Sequence, residues 1–101
     1  MSDRQFQFGW DIRKAVANFQ KHGVSFEAAR TVFRDPHLLT VADLEHGNGE
    51  ERWFSIGSAS DGTILSVVYI WAEVDLVTAK IRMISARKAT RSEIRQYEES
   101  L

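Results

Sequence analysis

Ile81-Arg82-Met83-Ile84-Ser85-Ala86-Arg87-Lys88-Ala89-Thr90-Arg91-Ser92-Glu93 is the stretch on which the reading of this 101-residue chain turns. Its first half alternates and is rich in β-branched and apolar residues, the pattern of a strand. Its second half opens a helix. Thr90 followed three residues later by Glu93 matches a capping box, in which each side chain satisfies a free backbone N–H of the other. From Lys80 to Arg95 stand six cations, Lys80, Arg82, Arg87, Lys88, Arg91 and Arg95, against one acid, Glu93. The whole chain has 13 Lys and Arg and a net charge of -1, so the cations are concentrated locally rather than globally. A local cluster of that kind at a strand-to-helix junction points to a polyanion such as RNA.

Working outward, the composition is that of one globular domain spanning 1–101. There is no cysteine, which removes disulfides, thiolate zinc sites and cysteine nucleophiles together. The N-terminus, Met1 to Phe6, lacks the apolar run of a signal peptide. The longest apolar run, Val67 to Ala72 with Leu65 nearby, is far short of a membrane span. The expectation is a cytoplasmic protein with no membrane contact.

Upstream, Gln5 to Trp10 alternates weakly and reads as a short edge strand. Asp11 stands where an N-cap belongs, and Ile12, Ala15, Val16 and Phe19 recur at helical spacing. Lys21 and His22 fall in the last turn, with Gly23 able to take the left-handed position after it. Ser25 caps a second helix of about eight to ten residues, its buried stripe Phe26, Ala29, Val32 and Phe33. Asp35-Pro36 ends it, because the residue before proline is pushed out of the helical region. Leu38 to Val41 reads as a short strand and Ala42 to Glu51 as an acidic, glycine-bearing loop with His46 near its middle. Arg52 to Ser58 alternates, Ser60-Asp61-Gly62 makes a hairpin turn, and Ile64 to Trp71 reads as a central strand covered on both sides. A hairpin around Glu73-Val74-Asp75 leads to Thr78 to Ser85. A last helix from Arg91 to about Ser100 buries Ile94, Tyr97 and Leu101. The order β-α-α-β-β-β-β-α predicts an α+β fold, a mostly antiparallel sheet packed against two N-terminal helices and one C-terminal helix.

Several stretches resemble the BrnT toxins (the DUF497 group). They are Asn18-x-x-Lys21-His22-Gly23-Val24-Ser25-Phe26-Glu27, Val32-Phe33-x-Asp35-Pro36, Asp43 and His46 before Glu50-Glu51-Arg52, and Ile84 to Arg91 with Glu93, Tyr97 and Glu98. The resemblance runs from Phe8 to Glu99; Ala28, where the family often has a second acid, and Met83, in place of a usual isoleucine, are minor departures. It implies a RelE-like fold and the toxin half of a type II toxin–antitoxin module, a ribonuclease that arrests translation. It also implies a BrnA-like antitoxin with a ribbon-helix-helix segment, through which alone the toxin would meet DNA.

RNA cleavage without a metal requires a deprotonated 2′-OH, stabilisation of the phosphorane charge and a proton for the leaving 5′-oxygen. The acids are scattered and the three histidines unclustered, so no metal or other cofactor is expected. Arg82, Arg87 and Arg91 rank first as phosphate or transition-state clamps, with Arg52 from the neighbouring strand, because a guanidinium holds phosphate bidentately and stays charged. Glu51 and His22 are candidates for proton transfer. Lys21 and Lys88 are candidates for backbone contact, and Tyr97 for base stacking. Each has a plainer reading: Arg82 solvated or paired with Glu51, Arg52 in a structural salt bridge, His22 serving the helix dipole, Tyr97 in the core. A non-catalytic module binding RNA or an acidic partner through the same cations is the alternative function, and a metal-dependent phosphodiesterase a weaker third.

Overall fold

A computed structural model describes residues 5–42 and 52–101. Strand β1 (Gln5–Gly9) precedes helix α1 (Ile12–His22) and a short helix α2 (Phe26–Ala29) that tightens into a 3-10 turn over Arg30–Arg34. Strands β2 (Leu39–Ala42), β3 (Arg52–Ser58), β4 (Ile64–Glu73) and β5 (Thr78–Lys88) follow, and helix α3 (Arg91–Glu99) closes the chain. The five strands form one sheet in the order β1-β5-β4-β3-β2, with β4 in the middle. β1 runs parallel to β5 and the other three pairings are antiparallel, so the sheet is mixed.

Local chemistry sets the helix ends. The Asp11 carboxylate accepts from the Arg13 and Lys14 N–H groups, and Gly23 at φ 70° sends its N–H back to the Phe19 carbonyl. Thr90 and Glu93 form the expected capping box of α3. Asp35 adopts an extended backbone ahead of Pro36 and ends the 3-10 turn. At φ 87°, Gly62 makes the β3–β4 turn.

The main core lies between α1 and α2 and one face of the sheet, with Phe26, Val32, Val67, Tyr69, Ile81 and Met83 all but inaccessible. The expected burial of Leu101 at the end of α3 fails: it is exposed. Ile12, Val16 and Phe19, which recur at helical spacing along α1, are exposed as well. The rotation of α1 is instead fixed by Asn18, 8% exposed, whose side-chain amide donates to the carbonyls of Val24 (3.0 Å) and Ala86 (2.9 Å) and accepts from the Ala86 N–H (3.1 Å). A buried amide must be paired, so these bonds decide which face of the helix turns inward.

Helix α3 lies on the opposite face of the sheet, over β3. Its Tyr97 hydroxyl donates to Asp35 Oδ2 at 2.6 Å, and the same carboxylate accepts from the Ser58 N–H at 2.8 Å and the His37 N–H at 2.8 Å. α3 covers only the part of this face near Ser66 and Ile56, both buried, and leaves Val68 and Ile70 half-buried. The central strand is therefore covered on both sides over half its length, less than its apolar sequence suggests.

Asn18→Leu keeps the volume but strands the Ala86 N–H and two carbonyls in the core. A loss of about 2–4 kcal/mol is expected, read as a lower urea midpoint at unchanged slope.

Candidate functional site

A bulge in β5 puts the basic residues where they are. Val68 pairs with Ser85 but the next residue, Tyr69, pairs with Met83, so Ile84 is skipped. Before the bulge Ala79, Ile81 and Met83 face the helical core and Lys80 and Arg82 face the other way; after it Ala86 faces the core and Arg87 turns outward. Strict alternation would have separated Arg82 from Arg87; the extra residue returns them to one face. On that face Arg52, Ile70 and Arg82 form one row across three strands, with Gly9 of β1 beyond. Two strand spacings put the Arg52 and Arg82 backbones roughly 10 Å apart. Phe54 and Val68 form the adjoining row, half-buried, and exposed Lys80 sits on the other side. Arg82 is exposed and has no carboxylate partner among the described residues. Arg52 is half-buried, with its Nε sealed from solvent and without a hydrogen-bond partner. An unsatisfied buried N–H costs about 1–3 kcal/mol, a cost an arriving acceptor would relieve.

Arg87 is differently placed. Four residues of β4 separate its row from the Arg52–Arg82 row, roughly 13 Å along the strand. Its Nη1 and Nη2 donate to Glu93 Oε1 (2.7 Å) and Oε2 (2.9 Å), and Oε1 also accepts from Ser66 Oγ (2.8 Å) and the Thr90 N–H (2.8 Å). The paired guanidinium drives the Glu93 carboxyl down to about 2, with the Thr90 N–H and Ser66 hydroxyl adding to it against the opposing effect of burial. The hydrogen bonds to Glu93 in turn push Arg87 upward. The forked Arg87–Glu93 pair is thus the clasp of α3 on the sheet, not an open clamp.

The remaining candidates scatter. Arg91 occupies the first helical position of α3 and is exposed. A cation there opposes the helix dipole, so helix stability does not account for it. Lys88 faces the other side of the sheet, lining a groove with Phe19 and Leu65. Lys21, exposed, and His22, half-buried, end α1 on that same side, away from the arginine row. Tyr97 is 7% exposed and pushed up to about 12 by its hydrogen bond to Asp35, so it offers no open ring for stacking. Asp35 itself stays below its ordinary value: burial raises it, but the Ser58 N–H, the Tyr97 hydroxyl and the His37 N–H outweigh that. Ala42, expected to open the loop, ends strand β2; Asp43, His46 and Glu51, with residues 43–51, lie outside the described residues. Lys80 of the basic cluster shares the face of Arg82, and its period-two relation to Arg82 is the sequence signal for it. Ile70, the floor between the arginines, carries no chemical signal in sequence.

A family model described as the ribonuclease toxin BrnT of a type II toxin–antitoxin system matches residues 10–93. This chain belongs to the BrnT family. Among solved structures it is similar to the crystal structure of the Brucella abortus ribonuclease toxin BrnT, with a TM-score of 0.62 and 19% identity over 86% of this chain and 99% of that one. No curated protein sequence matches. At that identity the structural likeness speaks to the fold alone, and the family match carries the assignment to ribonuclease toxins. Among the described residues no group of acids and histidines is arranged to hold a metal, and no helix is long and apolar enough to cross a membrane.

Because the folded Glu93 value lies below its ordinary 4.5, its contribution is fully present above pH 4.5 and fades as pH falls toward 2. The full shift corresponds to about 3 kcal/mol, and screening at the 36% exposed Arg87 side chain reduces this to about 1–2. Urea midpoints should therefore separate wild type from Glu93→Gln at about pH 6 and converge by about pH 2.5. A gap that persists unchanged at the lower pH would contradict this role for the carboxylate.

Proposed function

We propose that this BrnT-family chain is a metal-independent endoribonuclease of RelE-like fold, active in the cytoplasm, that cleaves RNA, arrests translation and is neutralised by a BrnA-like antitoxin. DNA then comes near it only through the antitoxin's ribbon-helix-helix segment. One observation carries the reading: the Arg52–Ile70–Arg82 row lies beyond the part of the face that α3 covers, with Arg82 exposed and Arg52 half-buried, while the other prominent guanidinium on that face is engaged by a carboxylate. Two cations either side of an apolar floor can hold a phosphodiester while its 2′-oxygen bonds to phosphorus and the bond to the 5′-oxygen breaks. Guanidinium groups stay charged and stabilise the added phosphorane charge. Lys80 and Arg91 extend the positive surface for the RNA backbone on either side.

In this reading Arg82 and Arg52 touch the scissile phosphate, and Arg87 is a positioning residue that sets α3 and hence Arg91. Of the two candidates for proton transfer, His22 lies on the other side of the sheet and Glu51, which lies outside the described residues, is the one this reading keeps. A binding-only reading draws on a different observation: no described strand residue on the arginine face is Asp, Glu or His.

Purified protein incubated with RNA in EDTA separates these readings. Cleavage should persist, and Arg82→Ala or Arg52→Ala should each lower its rate by about 10²–10³-fold, with melting unchanged for Arg82→Ala, whose side chain is exposed. Salt-sensitive RNA retention with no product at any enzyme concentration would establish binding alone.

A further inference from the structure

The two sides of the Arg52–Ile70–Arg82 row differ in chemistry. Toward the β4–β5 hairpin the next row is Gln7, Lys80 and Ala72, all exposed. Toward α3 the next row is apolar: Val41 of β2, Phe54 of β3 and Val68 of β4 stand opposite one another across three strands. Val41 is 54% exposed, and Phe54 and Val68 are half-buried. None of the three belongs to the helical core on the other side of the sheet. Phe54 follows Arg52 by two residues, so both side chains leave β3 on the same face. Its ring pairs with no other ring and no cation among the described residues. The row after it holds Ile56, buried beneath α3. A two-residue advance along each strand puts the apolar row roughly 7 Å from the arginine row and the same from the row that α3 covers.

Those spacings select an occupant. It must present anions along one edge and flat, uncharged, apolar-faced groups along the other, a short fixed distance apart. Single-stranded RNA is built that way, with a phosphate on one side of each sugar and a base on the other. An acidic amphipathic helix offers similar chemistry but is about 10 Å across, too broad for a strip bounded by α3. Every base has a π-face, so a phenylalanine ring beside a cationic row receives one whatever its sequence.

We propose that Phe54 is the stacking platform for a nucleobase next to the phosphate held by Arg52 and Arg82, with Val41 and Val68 extending the shelf. This rests on the ribonuclease reading above and adds the direction in which the strand lies: bases toward α3, backbone toward Lys80 and the hairpin. Phe54 thus takes the role that the sequence suggests for Tyr97, whose ring is buried. It binds substrate and takes no part in proton transfer.

The test is the affinity of the full chain for two uncleavable probes of equal charge, a 2′-O-methyl octa-adenylate and a tetrahydrofuran-phosphate octamer that has no bases. Wild type should prefer the octa-adenylate. Phe54→Leu should weaken octa-adenylate binding about 10-fold and leave the baseless octamer unaffected, and Phe54→Tyr should restore the wild-type value. Arg82→Ala should weaken both probes and lower the salt slope by about one, whereas Phe54→Leu should leave that slope unchanged. Equal affinity of wild type for the two probes overturns the platform, and this arm needs no variant to fold. An equal loss on both probes in Phe54→Leu, or none on either, also overturns it, while the Arg82→Ala result leaves the phosphate reading standing. A Phe54→Leu chain that loses only affinity for the cognate antitoxin assigns the strip to a protein and overturns the proposal too. Wild-type binding of both probes by Arg82→Ala, with no RNA cleaved by wild type, overturns the ribonuclease reading itself.

Discussion

The Glu93 carboxylate is the point on which the site depends. It joins three elements at once: β5 through the Arg87 fork, β4 through Ser66 and the start of α3 through the Thr90 N–H. A half-buried charge is stable here because both of its oxygens are met by donors, and it would become a liability if Arg87 were removed. With Tyr97 on Asp35 as the second fastening, α3 is fixed across one half of the sheet face and cannot slide over the other. The open half, with Arg52 and Arg82 either side of Ile70, is what that fixing leaves. Arg87, which in sequence looks the equal of Arg82, is spent on building the enclosure.

Whatever depends on a few neighbouring residues was legible in the chain. Asp11 and Gly23 bound α1, Thr90 and Glu93 open α3, Pro36 stops the second helical segment and Gly62 turns the hairpin, each by chemistry confined to one turn. The α+β element order followed from these boundaries. What could not be read depends on partners distant in sequence. The parallel pairing of β1 with β5 joins strands at opposite ends of the chain. The skipped Ile84 is apolar like its neighbours and gives no local sign of a bulge, yet it decides the face on which Arg87 lies. The outward rotation of α1 depends on Asn18 meeting Ala86, 68 residues away. The basic cluster was visible; its division between a clasp, an open row and the opposite groove was not.

The two faces of the sheet of this BrnT-family chain differ in what they carry. One carries a buried Arg52 Nε with no partner and a cation at the N-terminal end of α3, against the helix dipole; a second unpartnered group, Trp53 Nε1, lies on the helical face. The other carries an apolar stripe that the fold holds away from its own core. Strand β5 serves both, since it presents Arg82 and Arg87 on one side and takes Asn18 at Ala86 on the other.

The most direct measurement is of the arginine side-chain Nε–Hε resonances while the protein is titrated with a 2′-O-methyl oligonucleotide, which binds but cannot be cleaved. Arg52 and Arg82 should shift together and saturably, with Arg87 held in place by Glu93. A titration that moves Arg87 or the α1 arginine, Arg13, and leaves Arg52 and Arg82 where they were would contradict the assignment of the phosphate to the open row.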